Sequence, residues 1–128
     1  MTWSDALGLE MLEVTPERVE ARLVVTERLH QPFGLVHGGV WASVVEEVGS
    51  IGGSAAAQVR DPESIVVGVA NSTDFFRPVA DGEVRVIGVP IHVGRLQQVW
   101  QVDITTVPDA KLVARGQLRV QQVPRPPG

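Results

Sequence analysis

The 128-residue sequence contains no cysteine. That single absence removes disulfides, thiolate zinc sites and a cysteine nucleophile together, and it fits a reducing cytoplasmic compartment. Positive charge is also in short supply. Lys and Arg number 11 against 15 Asp and Glu, a formal net charge of -4, the wrong sign for a domain that wraps a phosphate backbone, which argues against nucleic acid as a partner. The first residues, Met1 to Asp5, have neither a basic n-region nor an apolar h-region, so no secretory signal is expected. The longest weakly polar stretch, Val40 to Val59, carries Glu46 and Glu47 and many small residues, which argues against a membrane span. Walker and dinucleotide glycine signatures are missing. His30, His37 and His92 form no H-E-x-x-H or close pair, so no metal site is expected.

What remains is an ordinary composition, 44% hydrophobic and 20% charged, suited to one domain that buries roughly two-thirds of its unfolded surface. Leu7 to Val14 and Val19 to Val25 are apolar-rich runs around the turn-like Thr15-Pro16-Glu17-Arg18, which reads as a hairpin. Gln31 to Gly34 includes a proline and a glycine and reads as loop. From Gly38 to about Val59 the composition is helical, and Asp61-Pro62 ends it. On a helical wheel Val40, Val44, Val48, Ile51 and Ala55 form an apolar face, opposite Ala42, Glu46, Gly49, Ser50, Gly53 and Ala57. Glycine costs about 1 kcal/mol relative to alanine inside a helix, so the small-residue face predicts close approach by a substrate or a second subunit.

Four β-rich stretches follow, Ser64 to Phe76, Glu83 to Val93, Leu96 to Val107 and Lys111 to Val123. Short connections between them predict antiparallel pairing. The expected fold class is α+β, a sheet of about five or six strands against one long helix, as a single domain over 1–123 with residues 124–128 a disordered tail.

Chemistry concentrates around the start of the helix. The first N–H groups of a helix have no internal acceptor and carry the positive end of its dipole, so Gly38 and Gly39 either open an oxyanion site there or make a tight loop-to-helix turn. Glu46, with Ser50 one turn further on, is either a solvated carboxylate or a group of that site. Ser43 and Ser50 lack a G-x-S-x-G elbow. Phe75 and Phe76 are expected in the core or an interface, and Trp41, Val45, Val67 and Val69 in a pocket lining or the core.

The run Gln31-Pro32-Phe33-Gly34-Leu35-Val36-His37-Gly38-Gly39-Val40, an acid nine residues after His37, Ser50 four residues later, and the stretch Pro90 to Trp100 together are specific. The sequence resembles, over nearly its whole length, the hotdog-fold acyl-CoA thioesterases of the phenylacetate-degradation and 4-hydroxybenzoyl-CoA types. It looks most like the branch that hydrolyses 1,4-dihydroxy-2-naphthoyl-CoA in menaquinone synthesis, with enterobactin-pathway proofreading thioesterases close by.

The resemblance implies an antiparallel sheet of about five or six strands wrapped around the helix, with Glu46 as the catalytic carboxylate. It implies the Gly38 N–H as the donor polarising the thioester carbonyl, with Gln31 and His37 holding that carbonyl or the water. Ser50 would orient the water and Gly39 complete the turn. Arg77, His92, Gly94 and Arg95 would meet coenzyme A, which is part of the substrate, so no separate cofactor is expected. A homotetramer built as a dimer of dimers, with sites shared between subunits, is also implied. Phenylacetyl, medium-chain or carrier-bound thioesters, and an acyl-CoA-binding module without turnover, stand as alternatives. A hotdog dehydratase fits less well, because His37 sits in the Gly-Gly turn.

Overall fold

A computed structural model describes residues 1–127. Two helices and six strands follow one another as α1 (Trp3–Leu7), β1 (Glu10–Val14), β2 (Val19–Val24), α2 (Gly38–Gln58), β3 (Ser64–Phe75), β4 (Glu83–Val93), β5 (Gln97–Thr106) and β6 (Leu112–Pro124). All strands lie in one antiparallel sheet of order β1-β2-β4-β5-β6-β3. It wraps α2 in the arrangement the resemblance implies. Inward-facing residues of alternating strands, among them Val84, Val86, Trp100, Val102, Ile104, Leu118 and Val120, pack against Val40, Val44, Val45 and Val48 of α2. Burying each such side chain fully stabilises the fold by roughly 1.5–3 kcal/mol.

Three expectations need correction. The amino-terminal run does not begin as a strand: Leu7 closes the short helix α1, whose Thr2 cap and Asp5 satisfy one another's backbone N–H groups. Gly8 then turns the chain in a left-handed conformation, φ 74°, before β1 begins. Second, the glycine face of α2 meets this chain's own sheet. A Cβ at Gly49 would lie 2.7 Å from Leu118, one at Gly52 2.5 Å from the Trp100 ring, and one at Gly53 3.0 Å from Val66. The sheet is therefore the element that approaches, and Ile51 and Ala55 are only half-buried. Third, order extends past residue 123: Pro124 pairs with Ser64, and the Arg125 N–H donates to the Glu63 carbonyl. The remainder of the expected tail includes Gly128, which lies outside the described residues.

Trp100 locks the helix to the sheet. Its Nε1–H donates to Gln98 Oε1 at 2.7 Å, and Gln98 Nε2–H donates to the Gly53 carbonyl at 2.9 Å. The buried amide is thus satisfied at both ends, as a buried polar group requires. No helix among the described residues is long and apolar enough to cross a membrane.

Candidate active site at the start of the central helix

The loop before α2 and the end of β3 meet at Gly38. A turn places Gln31 at this junction: its N–H donates to the Leu35 carbonyl at 2.7 Å, and its own carbonyl accepts from Gly34. The Gln31 side-chain oxygen accepts from the Phe33 N–H, which leaves the donors of its amide uncommitted among the described residues. β6 holds the other wall, because the Phe76 N–H donates to the Val113 carbonyl at 2.7 Å. Between them lies a cleft of about 290 Å³ that includes Gln31, Gly38, Trp41, Phe75, Phe76 and Arg77. No partner is found for the Gly38 N–H among the described residues, so the helix offers this cleft a free donor at its positive end.

One ring nitrogen of His37 is committed to the helix. Its Nδ1 accepts the Gly39 N–H at 2.8 Å, so it is the N-cap of α2. His37 and Gly39 line a separate cleft of about 440 Å³, with Trp3, Arg28, His30 and Ser43. Trp3 Nε1–H donates to Ser43 Oγ and Ser4 Oγ–H to Glu47 Oε2, so α1 straps the outer side of α2. A neutral imidazole that accepts at Nδ1 carries its proton on Nε2.

Glu46 is exposed, and its carboxylate lies over β3: a Cβ built on Gly68 would be 3.6 Å from Oε2. The β3–β6 register slips between Gly68 and Ala70, a bulge of the kind that re-aims backbone beside functional groups. Glu46 lies eight positions after Gly38, roughly 12 Å along a helix. Ser50 is half-buried in a shallow cleft with Glu47, Ser54 and Val14. The structure thus brings Gln31, Gly38 and Arg77 together, and holds Glu46 and Ser50 apart from them.

The remaining CoA-binding candidates divide between the two ends of α2. His92, Gly94 and Arg95 sit around the β4–β5 turn, where Arg60 Nη2–H donates to the Gly94 carbonyl at 3.0 Å. Arg77 is at the opposite end, and α2 is roughly 30 Å long. One chain therefore cannot present Arg77 and the His92–Arg95 turn to the same small group. Phe75 and Phe76, expected in the core or an interface, are exposed in the chain and line the cleft. Among the described residues no cluster of His, Asp and Glu is arranged to hold a metal ion.

Comparison with known proteins agrees with this fold. Residues 33–113 match the family described as Thioesterase superfamily. A proofreading thioesterase, EntH of Cronobacter turicensis, is 39% identical over 103 residues, 80% of this chain and 73% of that protein. The 1,4-dihydroxy-2-naphthoyl-CoA hydrolase of Listeria monocytogenes is 35% identical over 105 residues, 82% of this chain and 83% of that protein. The structure of Rv1847 from Mycobacterium tuberculosis superposes with a TM-score of 0.91 at 38% identity, covering 98% of each chain.

Proposed function

We propose, for a chain that belongs to the thioesterase superfamily and is a thioester hydrolase, that its substrate is an aromatic acyl-CoA such as 1,4-dihydroxy-2-naphthoyl-CoA or a hydroxybenzoyl-CoA. Hydrolysis gives the free acid and CoA, in the cytoplasm and, for the naphthoyl substrate, as a step of menaquinone synthesis. The observation that carries this reading is the unpartnered Gly38 N–H in an aromatic-walled cleft beside the uncommitted amide of Gln31.

In this reading the thioester carbonyl oxygen takes the Gly38 N–H and a Gln31 N–H as its two donors. Negative charge that grows on that oxygen is met by fixed dipoles, with little reorganisation. Glu46 then acts in one of two ways. As nucleophile it adds to the carbonyl carbon, the C–S bond breaks, and water hydrolyses the mixed anhydride; as general base it takes a proton from water that adds to the same carbon. Either way CoA leaves as a thiolate, and a thiol pKa of about 8.5 demands little help from a general acid. Ser50, one turn from Glu46, orients the water. His37 acts through its cap, fixing the helix start that presents Gly38.

The 12 Å axial offset between Gly38 and Glu46 supports a site shared by two subunits, Gly38 and Gln31 from one and Glu46 and Ser50 from the other. β3 is an edge strand with its outer backbone groups unpaired, and Glu46 lies beside it, so a second copy along this edge is the proposed neighbour. Two such dimers form the tetramer. Arg77 of one subunit and the His92–Gly94–Arg95 turn of another then hold the CoA phosphates, with Gly39 completing the turn at the site.

The test is thiol release from 1,4-dihydroxy-2-naphthoyl-CoA, benzoyl-type, phenylacetyl and straight-chain acyl-CoAs, by the wild type and by folded Glu46→Ala. Preferred turnover of an aromatic thioester, reduced roughly a thousandfold in the variant, is the expected result. Equal activity in both proteins removes Glu46 from the mechanism, and preference for phenylacetyl or straight-chain groups moves the substrate class.

A further inference from the structure

α1 and the first turn of α2 border a second cleft, about 440 Å³ against about 290 Å³ for the one at Gly38. The two lie on different sides of the same helical turn: Gly38 and Trp41 line one, Gly39, Val40 and Ser43 the other. Beyond the capping His37 and Gly39, the proposed mechanism uses none of the second lining. Its floor is apolar, because Leu29 and Val40 are buried there. The Trp3 indole, 61% exposed, forms a rim. A ligand that covers this indole and floor gains both burial and aromatic contact.

The polar groups of the cleft sort into engaged and free. Ser43 Oγ–H donates to the Gly39 carbonyl at 2.8 Å, and its oxygen accepts the Trp3 Nε1–H at 3.0 Å. His30 Nε2 is held by the Ala80 carbonyl at 2.7 Å, and the Gly39 N–H is taken by His37 Nδ1. Two donors are left. One is His37 Nε2–H, in the tautomer that the cap fixes. The other is the Arg28 guanidinium. Its Nη1–H donates to the Ala6 carbonyl, which anchors the group at the end of α1, and its other N–H groups have no partner among the described residues. Among those residues Arg28 forms no ion pair, and no Asp or Glu lines the cleft.

An unmatched guanidinium in a lining without acids favours an anion, and its fork of donors matches one carboxylate. A polyphosphate would bring several charges to this one cation. Inorganic phosphate would leave the indole and the floor uncovered. A carboxylate on an apolar body satisfies both halves, and small-ligand sites are built this way, mostly apolar with a few placed polar groups.

We propose that the cleft between α1 and α2 is a second ligand site, distinct from the catalytic cleft, that takes an organic monocarboxylate. The carboxylate sits on Arg28 and His37 Nε2–H, and the apolar body lies between Trp3 and the floor of Leu29 and Val40. Thioester hydrolysis releases a molecule of this class on the other side of the same helical turn, so the product acid is its occupant. The identity of the occupant rests on the hydrolase reading above; the site does not.

The experiment uses the full chain and follows the Trp3 indole N–H resonance, assigned with Trp3→Phe, as 2-naphthoate, 2-naphthamide or inorganic phosphate is added. Naphthoate is expected to saturate the shift with a dissociation constant on the order of 1 mM or below. The uncharged amide should bind about tenfold more weakly, and phosphate should not displace naphthoate. Arg28→Gln keeps a donor for the Ala6 carbonyl and removes the charge. It should weaken naphthoate about tenfold and leave kcat/KM for benzoyl-CoA within about twofold. The non-hydrolysable thioether phenacyl-CoA fills the catalytic cleft, and naphthoate should bind that complex as it binds the free protein. Unchanged naphthoate affinity in Arg28→Gln, displacement by phosphate, or loss of the Trp3 response once the thioether is bound overturns the site. If the wild type releases no thiol from any acyl-CoA, the hydrolase reading fails and the product loses its source, while the naphthoate titration still decides the site.

Discussion

A methyl group at Gly38 meets only the far edge of an exposed ring. Gly38→Ala therefore shifts Phe75 without opening a core cavity, and its melting temperature should stay close to wild type. Activity should not: displacing the ring and crowding the oxyanion donor is expected to lower kcat/KM between about tenfold and a hundredfold, measured by thiol release. His37→Ala removes an N-cap and should cost ~1 kcal/mol in chemical denaturation, with His37→Asn recovering most of it. At this scale the sequence was informative about where part of the chemistry gathers, because Gln31, His37 and Gly38 sit around one helix start, whereas Glu46 lies two turns further along the helix. It did not reveal that His37 caps the helix through Nδ1, since a loop histidine before two glycines fits both a cap and a ligand. Phe75 was missed because strand periodicity places neighbours on opposite faces, and nothing in the residues announces the bend after it.

The elements were legible where punctuation is strong. Asp61-Pro62 ends α2 within three residues of its observed last residue, Gln58, and Glu83–Val93 has the expected bounds of its strand. α1 was not legible as a helix, because five residues are too few for a helical period; its capping pair, Thr2 and Asp5, is the signal that marks it. The helical wheel separated large from small residues on α2 but not inner from outer. Small residues mark close approach, and here the close neighbour is Trp100 and β6, not a ligand. Gly52→Ala tests that point. Helix propensity alone predicts about 1 kcal/mol of stabilisation, yet a Cβ 2.5 Å from the fully buried Trp100 ring should overpack the core by ~1–3 kcal/mol. The net expectation is a lower denaturation midpoint; a higher one would mean that the helix shifts freely over the sheet.

Across the whole molecule, the outer face of the sheet carries a ladder of ion pairs. Arg85 and then Arg18 hold Glu20 below the ordinary glutamate range through hydrogen bonds, and Arg22 does the same for Glu83. A carboxyl whose folded pKa lies below its unfolded value, about 4.3 for glutamate, binds fewer protons when native. Its contribution is present above that unfolded value and is lost as pH falls through the folded one. Thermal stability should therefore drop as pH is taken below about 4.3, and Glu20→Gln should make that drop shallower. Both partners are partly exposed, so high salt should weaken the effect.

In the proposed mechanism no single chain holds a complete site, because Gly38 and Glu46 are separated along one helix. Mixing chains tests it most directly. Gln31→Ala and Glu46→Ala chains, each inactive in its own homo-oligomer, are unfolded, mixed in equal amounts and refolded together, and thiol release from an aromatic acyl-CoA is measured. A shared site predicts recovery, because a mixed pair contains one site with Gln31 and Gly38 from one chain and Glu46 from the other. If every site is built within one chain, the mixture stays as inactive as its components, and the shared-site mechanism is wrong.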